Sequence, residues 1–188
     1  MRERQLYFGK RSTGKGGRWT SFEDHPRLSQ TKGNIYGRCV PCMEELWSQL
    51  DQGREAIRLG RAYHCWKVAV VLPSEEHCLT LLALFEERFL ADHDQVYGRY
   101  GTASPESPTQ VVVFNAYGDP ARRDRLRQEV ALCAQEIDPG AEVFVNRACT
   151  NLYAELLGPW EAWEEETPIL WPERVETVKE RIKRLLYQ

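Results

Sequence analysis

Three segments of the chain carry continuous apolar and β-branched residues and predict buried strands. They are Trp66–Leu72, Gln110–Tyr117 and Glu142–Asn146. The first two segments are expected to be the central strands, since both faces of a central strand are covered. The more polar segment Val96–Tyr100 predicts a weaker strand. The pattern therefore indicates one sheet with three strong strands and one weak strand.

Apolar residues recur at helical spacing between these strands. Ser74 and Asp119 stand at the two helix starts and are predicted N-caps, because their side-chain oxygens can accept hydrogen bonds from the first helical turn. A helix that begins at Pro41 precedes the sheet, and an amphipathic helix that ends at Tyr187 follows it. Helices and strands therefore alternate along most of the chain.

The resulting β-α-β-β-α-β order predicts an α+β fold with a ferredoxin-like, split-βαβ sheet in the strand order 4-1-3-2. The helix at Pro41 and the C-terminal helix are additions to this core. Without the strand at Val96–Tyr100, the same order predicts an open α/β sheet, with thioredoxin-like as one variant. Helices cover one face of a ferredoxin-like sheet, so function is expected on the other face, where Lys67, Arg99, Val111, Val113 and Asn115 would lie. Such sheets often pair edge to edge, which makes a homodimer an expected assembly.

Residues 1–38 differ in composition from residues 39–188. They contain six Gly and nine Lys or Arg against three acidic residues, with aromatic residues interleaved. Gly at this density opposes regular structure, because it loses much backbone entropy on folding. We therefore expect a basic, irregular arm, with a short strand near Leu6–Phe8, joined to a single domain over 39–188. Gly16 stands where a P-loop needs Ser or Thr, so nucleotide hydrolysis is not expected in the arm.

The net charge of −3 hides an asymmetry along the chain. Residues 1–72 carry +6 and residues 73–188 carry −9. The basic part predicts a phosphate-bearing partner, a nucleic acid or a nucleotide, bound with little or no catalysis.

The arm is expected to supply phosphate contacts and a stacking indole through Lys10, Arg11, Lys15, Arg18 and Trp19. The strand ends are expected to add Arg99, Asn115, Tyr117, Asn146 and Arg147. Alternatively, the arm packs on the acidic 155–176 segment of its own chain or of a second copy.

Cys39 and Cys42 form a CxPC motif at a predicted helix start. A helix N-terminus lowers the pKa of a thiol and makes it a better nucleophile. Together with Pro108 just before a strand, the motif resembles thioredoxin-like oxidoreductases. That resemblance implies thiol–disulfide exchange with Cys39 and Cys42 as the catalytic pair and a cis proline at Pro108.

The same CxPC pair is also half of a zinc site. Cys39, Cys42, His64 and Cys65 form a candidate tetrahedral set, and further thiols and imidazoles occur at Cys149 and at His77-Cys78. Ordinary free thiols are the remaining alternative. Cys78 and Cys133 lie in helical patterns and are expected to be small core residues. Zinc is the one cofactor that the sequence suggests.

Membrane and secretory signals are both missing from the hydropathy pattern. No 18-residue apolar segment occurs, and the first residues lead into no apolar signal region. Six cysteines in such a chain are expected to be thiols or metal ligands rather than disulfides. The expected location is the cytoplasm.

Overall fold

The computed structural model describes residues 4–9, 11–14, 17–26, 28, 31–32, 35–36, 39–102, 104 and 106–187. In chain order its strands and helices are β1 (Tyr7–Phe8), β2 (Ser12–Gly14), β3 (Gly17–Glu23), β4 (Thr31–Lys32), β5 (Ile35–Tyr36), α1 (Val40–Asp51), β6 (Ala56–Arg58), β7 (Cys65–Leu72), α2 (Glu75–Phe89), β8 (Tyr97–Thr102), β9 (Gln110–Tyr117), α3 (Pro120–Ile137), β10 (Val143–Arg147), α4 (Thr150–Leu157), β11 (Glu166–Pro168) and α5 (Val175–Tyr187). The protein is therefore a mixed α+β structure. No helix in these ranges is both long enough and apolar enough to cross a membrane.

The chain divides into two compact units, each built from two separate stretches. Unit 1 comprises Met1–Leu28 and Trp66–Val145, and unit 2 comprises Ser29–Cys65 and Asn146–Gln188. Grouped this way, the formal charges are −2 for unit 1 and −1 for unit 2. Each unit thus combines residues from the basic and the acidic part of the sequence. The charge asymmetry along the chain does not correspond to a charge difference between the units.

Unit 1 is built on a sheet with the strand order β1-β3-β8-β9-β7-β10, and β2 pairs with β3 beside it. The β1–β3, β2–β3, β3–β8 and β8–β9 pairings are antiparallel. Within this order, β10-β7-β9-β8 reproduces the predicted 4-1-3-2 sequence of the four core strands. The expected weak strand is present as β8. The two strongest apolar strands, β7 and β9, lie inside the sheet as expected.

The prediction of an irregular arm is wrong for β3, which is a full strand of the sheet. Its residues Trp19, Thr20 and Phe22 are types that favour strands. Two glycines of β8 allow the close approach of neighbouring strands. A Cβ on Gly98 would lie 2.1 Å from the carbonyl oxygen of Val113, and one on Gly101 would lie 1.9 Å from a carbonyl oxygen of β3. The short β1 confirms the strand expected near Leu6–Phe8.

Helices α2 and α3 pack against each other and against β9. Phe85 of α2 meets Phe114 of β9 with ring centroids 4.8 Å apart, and Phe22 lies 5.1 Å from Phe114 on the same face. Both predicted caps are confirmed. The backbone N–H of His77 donates to Ser74 Oγ at 3.4 Å, and that of Arg122 donates to Asp119 Oδ1 at 2.8 Å.

Two cysteines lie in the core of unit 1. Cys78 on α2 and Cys133 on α3 are fully buried, as the sequence predicted. Burial raises the pKa of Cys78 to about 12 and that of Cys133 to about 11. Both thiols therefore act as small apolar side chains.

Unit 2 packs α1, α4 and α5 around an apolar core that includes Met43, Ile57, Leu156 and Ile182. Strand β6 pairs with β11 and β4 with β5, both antiparallel. The helix predicted from Pro41 is present as α1 and ends at Asp51, since the chain turns at Gly53, whose φ is +68°, and continues into β6. The acidic segment Glu164–Glu166 leads into β11, which begins at Glu166.

Candidate functional site

The unit 1 sheet has a second face, opposite α2 and α3. Side chains alternate along a strand, and directly paired residues share a face. Since Phe22 and Phe114 point toward the helices, their neighbours point away from them. Ser21 of β3, Arg99 of β8 and Val113 of β9 are directly paired and therefore lie together on this second face. Three adjacent strands thus present one common surface.

Arg99 and Trp19 form the most distinctive contact of the second face. The guanidinium carbon of Arg99 lies 4.3 Å from the centroid of the Trp19 ring. Both side chains are half-buried. A guanidinium stacked on an indole is attracted by the negative face of the ring. The pair therefore joins a flat aromatic group to a fixed positive charge.

The sequence predicted that Arg99, Val111, Val113 and Asn115 would share a face, and the strand register agrees. Asn115 is only 7% exposed, so it contributes little accessible surface. Lys67 was expected on the same face. Its neighbour Trp66 lies 4.5 Å from the Arg123 guanidinium of α3, so strand alternation directs Lys67 away from the helices.

The remaining basic residues predicted for unit 1 lie elsewhere. Arg18 alternates with Trp19, so it lies on the helix side of β3, where it is exposed. There it lines a depression of about 60 Å³ with Arg11 and Glu75. Arg11 forms an ion pair with Glu75, so part of the basic charge is already neutralised within the unit. Tyr117 is 49% exposed at the end of β9. Lys10 and Lys15 lie outside the described residues.

Arg147 and Asn146 belong to unit 2. The guanidinium carbon of Arg147 lies 4.1 Å from the Tyr63 ring centroid, and Arg147 Nη1 donates to the carbonyl oxygen of Trp163 at 3.3 Å. Arg147 is thus held by aromatic residues of its own unit. These contacts explain it as a packing residue of unit 2.

Four half-buried cysteines form a second cluster of candidate residues, within unit 2. Cys39 is the N-cap residue of α1 and Cys42 lies in its first turn, while Cys65 begins β7 and Cys149 precedes α4. The backbone N–H of Ala148 donates to the carbonyl oxygen of Cys65 at 2.6 Å. That hydrogen bond places Cys149 beside Cys65.

The thiols of this cluster influence one another. The pKa of Cys42 is raised to about 11, mainly by burial and in smaller part by the negative charges of Cys65 and Cys149, while Arg61 opposes the shift. Burial and the same thiolates also raise the pKa of Tyr153. Cys149 therefore lies near Cys42. From the sequence, Cys149 is only a further thiol, outside the candidate set of four ligands.

His64, the predicted fourth ligand, is exposed and stands edge-on to Tyr63 with ring centroids 5.4 Å apart. Among the residues that the structure describes, no group of three or more His, Cys, Asp or Glu side chains is arranged to hold a metal ion. The peptide bond before Pro108 is trans, in contrast to the cis proline that the thioredoxin-like resemblance implies.

The raised pKa of Cys42 predicts slow alkylation at neutral pH. With a pKa of about 11, only roughly a thousandth of this thiol is ionised at pH 8, and the thiolate is the reactive form. In chelator-treated, reduced protein, the rate of Cys42 modification by iodoacetamide should therefore keep rising up to about pH 11, as followed by peptide mass spectrometry. In urea-unfolded protein the same cysteine should titrate near 8.5, the usual thiol value. A folded-state midpoint at or below that value would contradict the burial of Cys42.

Comparison with known proteins gave no match: no family model, curated protein or solved structure is significantly similar to this chain. The geometry of the two residue groups is therefore the basis for a functional assignment.

Proposed function

We propose that the protein binds a phosphate-bearing partner through the second face of the unit 1 sheet. Single-stranded nucleic acid is the ligand that this face suits best. Binding is expected without catalysis or with weak catalysis. The observation that carries the proposal is the Arg99 guanidinium stacked 4.3 Å from the Trp19 ring on that face. A guanidinium is a donor group that suits a phosphate, and an indole suits an unpaired base.

The proposal includes a ferredoxin-like core made of β7, α2, β8, β9, α3 and β10. The strand order and the packing of both helices against β9 support it. In this arrangement β1, β2 and β3 extend the sheet beyond β8 and widen the second face. Trp19 reaches that face only because β3 is part of the sheet.

Local arrangement, rather than overall charge, supports the choice of ligand. Unit 1 carries a net charge of −2, so long-range attraction of a polyanion is weak. Arg99 and Lys67 place two positive charges on the second face, where β3 adds the buried Glu23 and β9 adds the apolar Val111 and Val113. Stacking of one base on an aromatic side chain contributes about 1–3 kcal/mol, so a few contacts give measurable affinity.

Replacing Arg99 by Ala should weaken binding of a labelled oligothymidylate and lower its dependence on salt. Loss of one phosphate contact reduces the slope of log K against log salt concentration by about 0.7 for a single strand. Fluorescence anisotropy over a series of NaCl concentrations measures both quantities, with a duplex of equal length as comparison. Equal affinity for the duplex would indicate charge recognition without base stacking.

Arg174→Ala is the matched control, because the Arg174 guanidinium lies 4.6 Å from the Trp171 ring in unit 2. This variant removes the same charge and the same kind of stack. Its binding curve should match that of the unchanged protein. The proposal is wrong if the unchanged protein binds no oligonucleotide at low salt, or if both variants lose the same slope.

Thiol–disulfide exchange at Cys39 and Cys42 has less support. A redox-active pair needs an accessible thiolate, whereas the pKa of Cys42 is raised to about 11 by burial and by neighbouring thiolates. The same neighbours suggest a different chemistry for these residues.

A further inference from the structure

We propose that Cys39, Cys42, Cys65 and Cys149 form a zinc-binding site in unit 2, with four sulfur ligands. The site is independent of the nucleic-acid surface proposed for unit 1. It differs from the set suggested by sequence spacing in one ligand, since Cys149 replaces His64.

The backbone brings three separate elements to one place. Cys39 and Cys42 are three residues apart at the start of α1, which puts both side chains on the same side of the first turn. The N–H of Ala148 donates to the carbonyl of Cys65 at 2.6 Å, so the chain segment before α4 is fixed to the start of β7.

Helix α4 is also tied to α1. Tyr153 lies four residues after Cys149, one helical turn further along α4. Its hydroxyl donates to the carbonyl oxygen of Cys42 at 3.5 Å, and its side chain packs in the core of unit 2. The first turns of α1 and α4 therefore meet around this tyrosine, and each start carries thiols.

A strained residue stands at the junction. Ala148 is buried and has φ 56°, a left-handed conformation that non-glycine residues rarely adopt. Its conformation directs the chain from β10 into α4 and leaves Cys149 next to Cys65. Backbone strain of this kind persists only where the surrounding structure maintains it, and it is concentrated at functional sites.

The chemistry of the four residues suits zinc. Zn²⁺ is commonly held in proteins by four thiolates in tetrahedral geometry with Zn–S distances of about 2.3 Å. All four cysteines of unit 2 are half-buried, in contrast to the fully buried Cys78 and Cys133.

As placed, the sulfurs do not surround a common point, since no group of three ligands in the described part of the chain is arranged for a metal ion. Zinc binding therefore includes rotation of the cysteine side chains between their staggered positions. The hydrogen bonds of Ala148 and Tyr153 already connect the start of β7 with the segment before α4, and α4 with the start of α1.

Cobalt substitution tests the ligand set. Reduced, full-length protein titrated with Co²⁺ should develop thiolate-to-cobalt charge-transfer bands and the strong visible bands of a tetrahedral, sulfur-rich site, at one ion per chain. Zn²⁺ should then displace Co²⁺. Cys65→Ser and Cys149→Ser should each lower the zinc affinity at least about a hundredfold, because one of four ligands is lost. Circular dichroism reports whether each variant is folded.

Two further variants keep the test decisive. His64→Ala should retain the bands and the affinity, since His64 is exposed. Cys149→His keeps a ligand at that position and should bind cobalt with bands shifted to shorter wavelength. The proposal is overturned if the folded, unchanged protein binds neither ion, or if His64→Ala loses the bands while Cys149→Ser retains them.

Discussion

Gly98→Ala is expected to destabilise the protein by about 3 kcal/mol or more, because the added methyl group has no space between two strands. A Cβ at this position would lie 2.1 Å from the carbonyl oxygen of Val113 and 2.4 Å from Cζ of Phe22. The carbonyl belongs to the strand paired with β8, so it moves only if that pairing is disturbed. Urea denaturation followed by circular dichroism measures the loss.

Gly140→Ala is the control for this substitution. The nearest atom to a Cβ at Gly140 is Asp138 Oδ1 at 3.4 Å, an ordinary contact. Its effect on the free energy of unfolding should stay within about 0.5 kcal/mol. If Gly98→Ala were as stable as Gly140→Ala, β8 would not run between β3 and β9 in the register described.

Phe114→Ala should cost about 3–5 kcal/mol, the usual loss when a buried phenyl ring is removed from a core. Phe114 is fully buried and stands between the rings of Phe22 and Phe85 at centroid distances of 5.1 and 4.8 Å. Its removal takes away a ring contact between the sheet and α2. Thermal and urea unfolding should both shift toward lower stability.

Tyr117→Ala, on the same strand, separates burial from strand propensity. Tyr117 is exposed, so its truncation should change stability by less than about 1 kcal/mol. Equal losses for Phe114→Ala and Tyr117→Ala would mean that the three-ring contact contributes nothing beyond β-propensity, against the packing described for this face.

Local patterns were sufficient to predict much of unit 1. The apolar segments at β7, β9 and β10 and the caps Ser74 and Asp119 are recognisable within a few residues, because strand burial and capping depend on near neighbours. The order of the four core strands followed from the alternation of strands and helices.

Features that depend on distant partners were not predicted. The pairing of β3 with β8 joins segments far apart in sequence, and the glycine content of residues 1–38 pointed to irregular structure instead. In the same way, His64 was grouped with Cys65 because the two are adjacent. Cys149 is brought to Cys65 by one backbone hydrogen bond from Ala148, which no spacing rule reveals.

The interleaving of the two units also imposes an order in time on a growing chain. Strand β3 is made about 74 residues before its partner β8, an interval of about 4–15 s at the usual rates of synthesis. All strands of unit 1 have been synthesised once β10 has emerged. At that point α1 of unit 2 still lacks its packing partners α4 and α5, which follow β10 in the chain. Residues 29–65, the first part of unit 2, therefore connect two parts of unit 1 in the growing chain. They cannot complete the core of unit 2 until residues 146–188 have been synthesised.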